Sequence, residues 1–271
     1  MPNGKKALKP EPRYDAIVAE VFRQNYKKGC DSVEFKREEM EAIAMRLGIK
    51  LPKNQGDVIY TFRHRRQLPD SIKSTAPKGY EWIILGAGVA RYRFKLAKYS
   101  RIKPNPTLVQ IKVPQGTPEL ISMYAMDDEQ AILAKVRYNR LIDIFLGITS
   151  YSLQSHLRTT VAGIGQIEID EVYVGVNRHG AHFIIPVQAK GGNDQIGSVQ
   201  TMQDVAWCKQ KYPNVMCRAI AAQFLSEDGI AMFELTVEGE EIKVVEEKHY
   251  RMVPRKEITD EDLAKYRTFS E

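Results

Sequence analysis

Two polar patterns interrupt apolar runs in the second half of the chain. Glu168 and Asp170 are two residues apart in one run, and Gln188 and Lys190 are two apart in the next. Because side chains alternate along a strand, each pair lies on one face. Carboxylate and amide oxygens bind a hard divalent cation, and an ammonium group beside them neutralises charge on a phosphate attacked by water. The patterns predict a metal-dependent phosphodiesterase site.

An ordinary structural interpretation of the same residues stays open at this point. Asp170 and Lys190 on neighbouring strands also fit a cross-strand ion pair at a sheet edge. Such a pair adds little to stability and nothing to catalysis.

The elements around these residues follow a definite order. An acid-led helix is predicted over 127–147 with a short helical continuation over 150–157, since apolar residues recur at helical spacing. Period-two alternation and turn residues then predict three strands. The strands cover 158–163, 166–176 and 182–190, and a helix over 196–212 and a strand over 216–225 follow them. The predicted order is α, β, β, β, α, β.

At these residues the chain resembles the PD-(D/E)xK nuclease superfamily. Asp170 and the pattern Gln188-x-Lys190 match its motif. The resemblance implies an αβββαβ restriction-endonuclease-like core in which Asp170 and Gln188 hold Mg²⁺. It also implies that Lys190 orients or deprotonates the attacking water.

The match departs from the superfamily pattern at Gln188, where an acid is usual. This leaves open whether one metal ion or two are bound, and whether Glu168 supplies the missing carboxylate as a further catalytic residue. By analogy with some members, Glu129 in the leading helix is a further participant.

Charge divides the chain into two parts. Residues 1–115 hold 24 Lys and Arg against 11 Asp and Glu, whereas residues 116–271 hold 16 against 23. The net charges are therefore +13 and −7. A basic part suits a polyanionic partner, although basic surfaces also serve solubility alone. Proline and glycine residues near 115 predict a boundary between a DNA-binding domain, 1–115, and a nuclease domain, 116–271.

The front part has the order of a winged helix-turn-helix. Helices are predicted over 14–25, 35–48 and 54–66, and a basic hairpin over 81–96. In this motif a helix enters the major groove while the hairpin contacts the DNA backbone. Cations at the end of the third helix also fit a solvated helix end. The predicted DNA-binding residues are Asn54, Gln55, Arg63, Arg65, Arg66, Arg91, Arg93 and Lys95.

Composition excludes several classes of protein. The 271 residues are 43% hydrophobic and 27% charged, as in ordinary globular chains rather than disordered or membrane-spanning ones. No apolar stretch suits a signal peptide or an anchor, which predicts a cytoplasmic protein. The three cysteines, Cys30, Cys208 and Cys217, are too scattered for a disulfide framework and are predicted to be reduced.

The sequence therefore predicts an α+β protein that is a Mg²⁺-dependent DNA endonuclease, most like a Type II restriction enzyme. Its substrate would be double-stranded DNA, and a homodimer would supply the two cuts. Two alternatives stay open. One is a winged-helix DNA-binding regulator with an inactive nuclease-like domain, and the other is a structure-specific DNA repair nuclease.

Overall fold

The computed structural model describes residues 13–64, 66–98, 102–124, 129–191, 196–226, 228–239 and 241–268. Contacts divide the chain into one unit of Met1–Ser100 with Ala162–Gly165 and a second of Arg101–Val161 with Gln166–Glu271. This division precedes the predicted boundary near 115, because the strand Gln110–Pro114 pairs in parallel with Glu241–Val253 of the second unit. None of the described helices is long and apolar enough to span a bilayer.

The first unit combines helices with a three-stranded antiparallel sheet. The sheet order is β1-β3-β2, and aromatic and aliphatic side chains from the helices and strands form its core. The elements are α1 (Arg13–Asn25), β1 (Ser32–Lys36), α2 (Arg37–Arg46), α3 (Gly56–His64), α4 (Asp70–Lys73), β2 (Tyr80–Gly86) and β3 (Arg91–Lys98).

The sequence predicted most of these elements. The first helix and the basic hairpin are confirmed, and the hairpin turn contains Gly88 and Ala90 at positive φ. The second helix begins later than predicted, because Phe35 belongs to β1 and pairs with Tyr92 of β3. This pairing joins residues far apart in the chain, which local periodicity does not reveal.

The second unit is built on a large mixed sheet flanked by helices. Its strand order is β4-β11-β10-β9-β7-β6-β5, with β8 paired to β7. The elements are β4 (Gln110–Pro114), α5 (Glu119–Tyr124), α6 (Glu129–Tyr138), α7 (Leu141–Leu146), β5 (Thr149–Val161), β6 (Gly165–Val176), β7 (His182–Lys190), α8 (Ser198–Lys211), β8 (Met216–Cys217), β9 (Ala219–Phe224), β10 (Gly229–Glu238), β11 (Glu241–Val253), a 3₁₀ turn (Arg255–Glu257) and α9 (Asp260–Arg267).

Two helical predictions in this unit are wrong. The helix predicted over 127–147 is interrupted at Arg140, which has φ +53, so α6 and α7 are separate. The continuation predicted over 150–157 is part of β5, because Gly147 ends α7 at φ +63 and the chain leaves the helical conformation there. Residues 127 and 128 lie outside the described residues.

The sheet has two buried faces, which determine where the side chains of β7 lie. Val187 and Ala189 join the apolar core that contains the buried residues of α6 and α7. Gln188 alternates with them along β7 and pairs in register with Ala221. Ala221 belongs to a second apolar core that contains Ile196, and the partly buried Met202 of α8 packs against this core. Gln188 therefore lies on the α8 face of the sheet.

Candidate functional site

Asp170 lies where β6 and β7 separate. The antiparallel register of the two strands ends at the pair Glu171 and Val187. Beyond that pair, the backbone N–H of Ala189 donates to Asp170 Oδ2 at 2.9 Å. A carboxylate thus takes the place of a backbone acceptor, and Asp170 is fixed beside the end of β7 that carries Gln188.

Gln188 is held by an acid that the sequence analysis missed. Its Nε2 donates a hydrogen bond of 2.6 Å to Asp204 Oδ2 on α8, and both residues are only 2% exposed. The remaining oxygens, Gln188 Oε1 and Asp204 Oδ1, are buried and have no hydrogen-bond partner among the described residues. One signal could have revealed Asp204: it precedes Trp207 by three residues, which places an acid on the apolar face of a predicted helix.

Lys190 lies at the end of β7 with its side chain 12% exposed. Its Nζ donates to Glu129 Oε1 at 3.0 Å, from the first residue of α6. In the described part of the chain, the ion pair of Lys190 is with Glu129 and not with Asp170. The arrangement differs from the simple cross-strand pair that the sequence left open, and it brings Glu129 to the site.

Glu168 lies on β6 two residues before Asp170, but its carboxylate faces another strand. Its Oε1 is 3.4 Å from Arg158 Nη2 and 3.9 Å from His156 Nδ1, both on β5. The structure therefore places Glu168 with Arg158 and His156 of β5 rather than with Gln188.

Burial dominates the electrostatics of the two acids. It raises the pKa of Asp170, while the Ala189 N–H and Lys190 act in the opposite direction and Glu129 and Glu168 add to the increase. Burial also raises the pKa of Asp204 well above its usual range, opposed by the Gln188 hydrogen bond, and the nearby charge of Asp170 raises it further. A bound cation would relieve this disfavoured pair of negative charges.

The donor set suits a hard cation. Asp170 and Asp204 supply carboxylate oxygens, and Gln188 Oε1 is a buried acceptor with no donor in the described structure. Oxygen ligands of this kind bind Mg²⁺. Within the described residues no group of three His, Cys, Asp or Glu side chains is close enough to hold a metal ion. The set of Asp170, Asp204 and Gln188 contains two carboxylates and one amide.

Comparisons with protein-family models, with curated proteins and with solved structures find no match for the chain. The interpretation of the site therefore depends on its own geometry.

In the first unit, several predicted DNA-binding residues already have partners. Asn54 Oδ1 accepts the N–H of Gly56 at 3.2 Å, which places its side chain at the start of α3. Lys95 pairs with Asp31 at 2.9 Å. Arg66 pairs with Asp15 at 2.5 Å. These contacts engage groups that were expected to face DNA.

The remaining predicted residues differ in exposure. Arg91 is exposed on β3, and Gln55 is partly buried just before α3. Arg63 and Arg93 are partly buried and carry guanidinium nitrogens that have no partner within the described part of the chain. Arg65 lies outside the described residues.

Proposed function

We propose that the chain is a Mg²⁺-dependent DNA endonuclease, most like a Type II restriction enzyme. The observation that carries the proposal is the polar group at the end of β7, which joins Asp170, Gln188, Asp204 and Lys190 in the second unit. Gln188 Oε1 and Asp204 Oδ1 are buried oxygens with no hydrogen-bond partner among the described residues. Such oxygens, together with a lysine, suit a cation that activates water against a phosphodiester.

The order of elements in the second unit supports a nuclease-like core. Helices α6 and α7 precede β5, β6 and β7, and α8 and β9 follow. β6 and β7 are antiparallel, whereas β7 and β9 are parallel. This is the αβββαβ order that the resemblance implies, with the acid on the second strand and Gln188-x-Lys190 on the third.

The first unit supports the DNA-binding part of the proposal. Its order is α1, β1, α2, α3, α4, β2 and β3, and β1 pairs with β3. Apart from the short helix α4, this is the order of a winged helix, in which α3 would enter the major groove and β2 and β3 would form the wing.

Each site residue has a distinct role in the proposal. Asp170 and Gln188 would hold Mg²⁺, and Asp204 would both orient the Gln188 amide and supply the carboxylate that the motif lacks. When bound, the ion would polarise the phosphate and lower the pKa of a water molecule. Lys190 would orient that water and neutralise charge on the phosphate, and Glu129 would hold the Lys190 ammonium in place.

A plasmid assay tests the proposal. Purified protein is incubated with supercoiled plasmid in Mg²⁺ or in EDTA, for the natural chain and for Asp170→Asn. The proposal expects discrete fragments only with the natural chain in Mg²⁺. Intact plasmid across a full titration of Mg²⁺ and Mn²⁺ would favour the alternative, a DNA-binding regulator without turnover.

One observation favours the alternative, a DNA-binding regulator without turnover. Gln188 replaces an acid, which removes one negative charge from the group that would bind the metal. A regulator would bind duplex DNA with the same affinity in EDTA and in Mg²⁺, and Asp170→Asn would leave that affinity unchanged.

For the nuclease, we propose a homodimer, since cutting both strands needs two sites. Sedimentation velocity with and without duplex DNA measures this.

A further inference from the structure

One arginine contacts a tyrosine that packs against the first unit's core, and a second arginine lies within electrostatic range of the same tyrosine. Arg37 is the first residue of α2, Arg63 lies in the last turn of α3, and Tyr92 lies on β3. Arg37 Nη2 donates to the Tyr92 hydroxyl at 3.0 Å. The Arg63 guanidinium is close enough to interact electrostatically with Tyr92 and Tyr60. We name Arg37, Arg63 and Tyr92 the arginine site.

Three guanidinium nitrogens of this site have no acceptor within the described structure. Nε and Nη2 of Arg63 and Nε of Arg37 are buried without a hydrogen-bond acceptor. Among the described residues, neither arginine forms an ion pair with a carboxylate, whereas Lys95 and other basic residues of this unit do. Buried N–H groups without acceptors and a buried charge without a counterion both destabilise a fold.

Burial also changes the electrostatics of Arg63. Removal of the guanidinium from water lowers its pKa, and the two tyrosine hydroxyls compensate only in part. Arginine stays protonated in proteins, so the site keeps its positive charge. A ligand that supplies acceptor oxygens and negative charge would satisfy the free donors.

We propose that the arginine site binds a backbone phosphate of nucleic acid. The inference rests on the DNA-binding part of the proposed function and assigns the phosphate contact to Arg63 and Arg37. Arg63 is among the residues that the sequence predicts to bind DNA, whereas Arg37 is not. Guanidinium groups bind phosphate oxygens through paired N–H donors, and the tyrosine hydroxyl adds another donor. The phosphate contact is therefore built from both α2 and α3.

Salt-dependent binding tests this assignment without cleavage. The full chain binds a fluorescent duplex of mixed sequence in EDTA over a range of NaCl concentrations, and the slope of log affinity against log salt is measured. Each lost phosphate contact reduces the slope by about 0.9. We expect that reduction for Arg63→Met and for Arg37→Met. Arg23→Met is the matched control, because Arg23 is exposed on α1 and paired with Glu20, and its slope should equal that of the natural chain.

Thermal melting of the free protein separates a binding role from a structural one. Arg63→Met keeps the aliphatic stem and removes the unsatisfied donors, so its melting temperature should equal or exceed that of the natural chain. A lower melting temperature together with an unchanged salt slope in Arg63→Met and Arg37→Met would overturn the proposal. If Arg63→Met does not fold, an unchanged slope in Arg37→Met overturns it alone.

Inorganic phosphate identifies the source of the ligand. If millimolar phosphate protects the natural chain against heat through Arg63 but no duplex binds, the site takes a free phosphate and the nucleic-acid assignment is overturned. If the natural chain binds duplex and the salt slope is unchanged in both variants, the assignment of the phosphate contact to the arginine site is overturned, and the proposal of DNA binding is not affected. Because all binding is measured in EDTA, a failure of Mg²⁺-dependent cleavage leaves this result unaffected.

Discussion

Gln188 Nε2 donates to Asp204 Oδ2 at 2.6 Å, between two residues that are almost fully buried. This hydrogen bond determines the orientation of the Gln188 amide. It leaves Gln188 Oε1 as an acceptor with no donor in the described structure, and Asp204 Oδ1 in the same condition. The amide and the carboxylate each keep one oxygen that has no hydrogen bond within the described structure. A divalent cation accepts electron pairs from oxygen ligands and would satisfy both.

Asp204→Asn should stabilise the protein without metal while weakening its response to Mg²⁺. Burial raises the pKa of Asp204, so the folded state favours the protonated carboxyl and loses stability as pH rises above the usual value of 3.8. Asparagine keeps an acceptor for Gln188 and removes the charge. In EDTA at pH 8 we expect the melting temperature to increase by about 2–4 °C, with a smaller increase at pH 4.

The control for that experiment is Asp228→Asn, which changes an exposed acid of the same unit. Its melting temperature in EDTA at pH 8 should stay close to that of the natural chain. An Asp204→Asn protein that melts below the natural chain at pH 8 would contradict the electrostatic account of the site.

Gln188→Glu should have the opposite effect. A second carboxylate would face Asp204 in place of a hydrogen bond, and like charges in a buried site repel. We expect a lower melting temperature than the natural chain in EDTA and a larger increase on addition of Mg²⁺. Gln154→Glu on exposed β5 is the control. Equal Mg²⁺-induced shifts in Gln188→Glu and the natural chain would show that no cation binds beside residue 188.

Arg137 and Glu171 form a structural ion pair on the other face of β6. Glu171 is fully buried, and Arg137 Nε and Nη2 donate to its Oε1 at 2.9 and 2.8 Å. Arg137→Met would leave an unpaired buried carboxylate and should reduce the free energy of unfolding by about 3 kcal/mol. Arg137→Met combined with Glu171→Leu should restore most of it in urea unfolding. A double variant as unstable as the single one would contradict this role.

The cations of the hairpin should contribute unequally to DNA binding. Arg91 is exposed, whereas Lys95 pairs with Asp31. Arg91→Met should therefore reduce the salt slope by about 0.9, the amount for one phosphate contact, and Lys95→Met should leave it nearly unchanged. The slopes are measured on the same duplex, and a reduction for Lys95→Met alone would reverse the assignment.

Local patterns in the sequence predicted the elements that position the site but not all of its residues. The alternation around Asp170 and Gln188 predicted β6 and β7, because a half-polar strand keeps a period of two. Asp204 was missed because it lies on α8, and its contact with Gln188 depends on how that helix packs on the sheet. Composition and spacing do not reveal such packing.

The errors have a similar physical origin. Arg140 and Gly147 at positive φ end the helices near β5, and the strand character of 150–157 comes from pairing with β6 rather than from local periodicity. Likewise, the sequence shows the charges of Lys95 and Arg66, but it does not show that they pair with Asp31 and Asp15. Residues distant in the chain determine which cations stay available.

Cleavage by Lys190→Ala tests the central claim most directly. Cleavage rates in Mg²⁺ and duplex affinities in EDTA are measured for the natural chain, for Lys190→Ala and for the control Lys209→Ala, an exposed lysine on α8. We expect Lys190→Ala to lose at least about 100-fold in rate, as for removal of a group that stabilises charge in the transition state, while its duplex affinity and the rate of Lys209→Ala stay unchanged. Cleavage by Lys190→Ala at the natural rate would contradict the account.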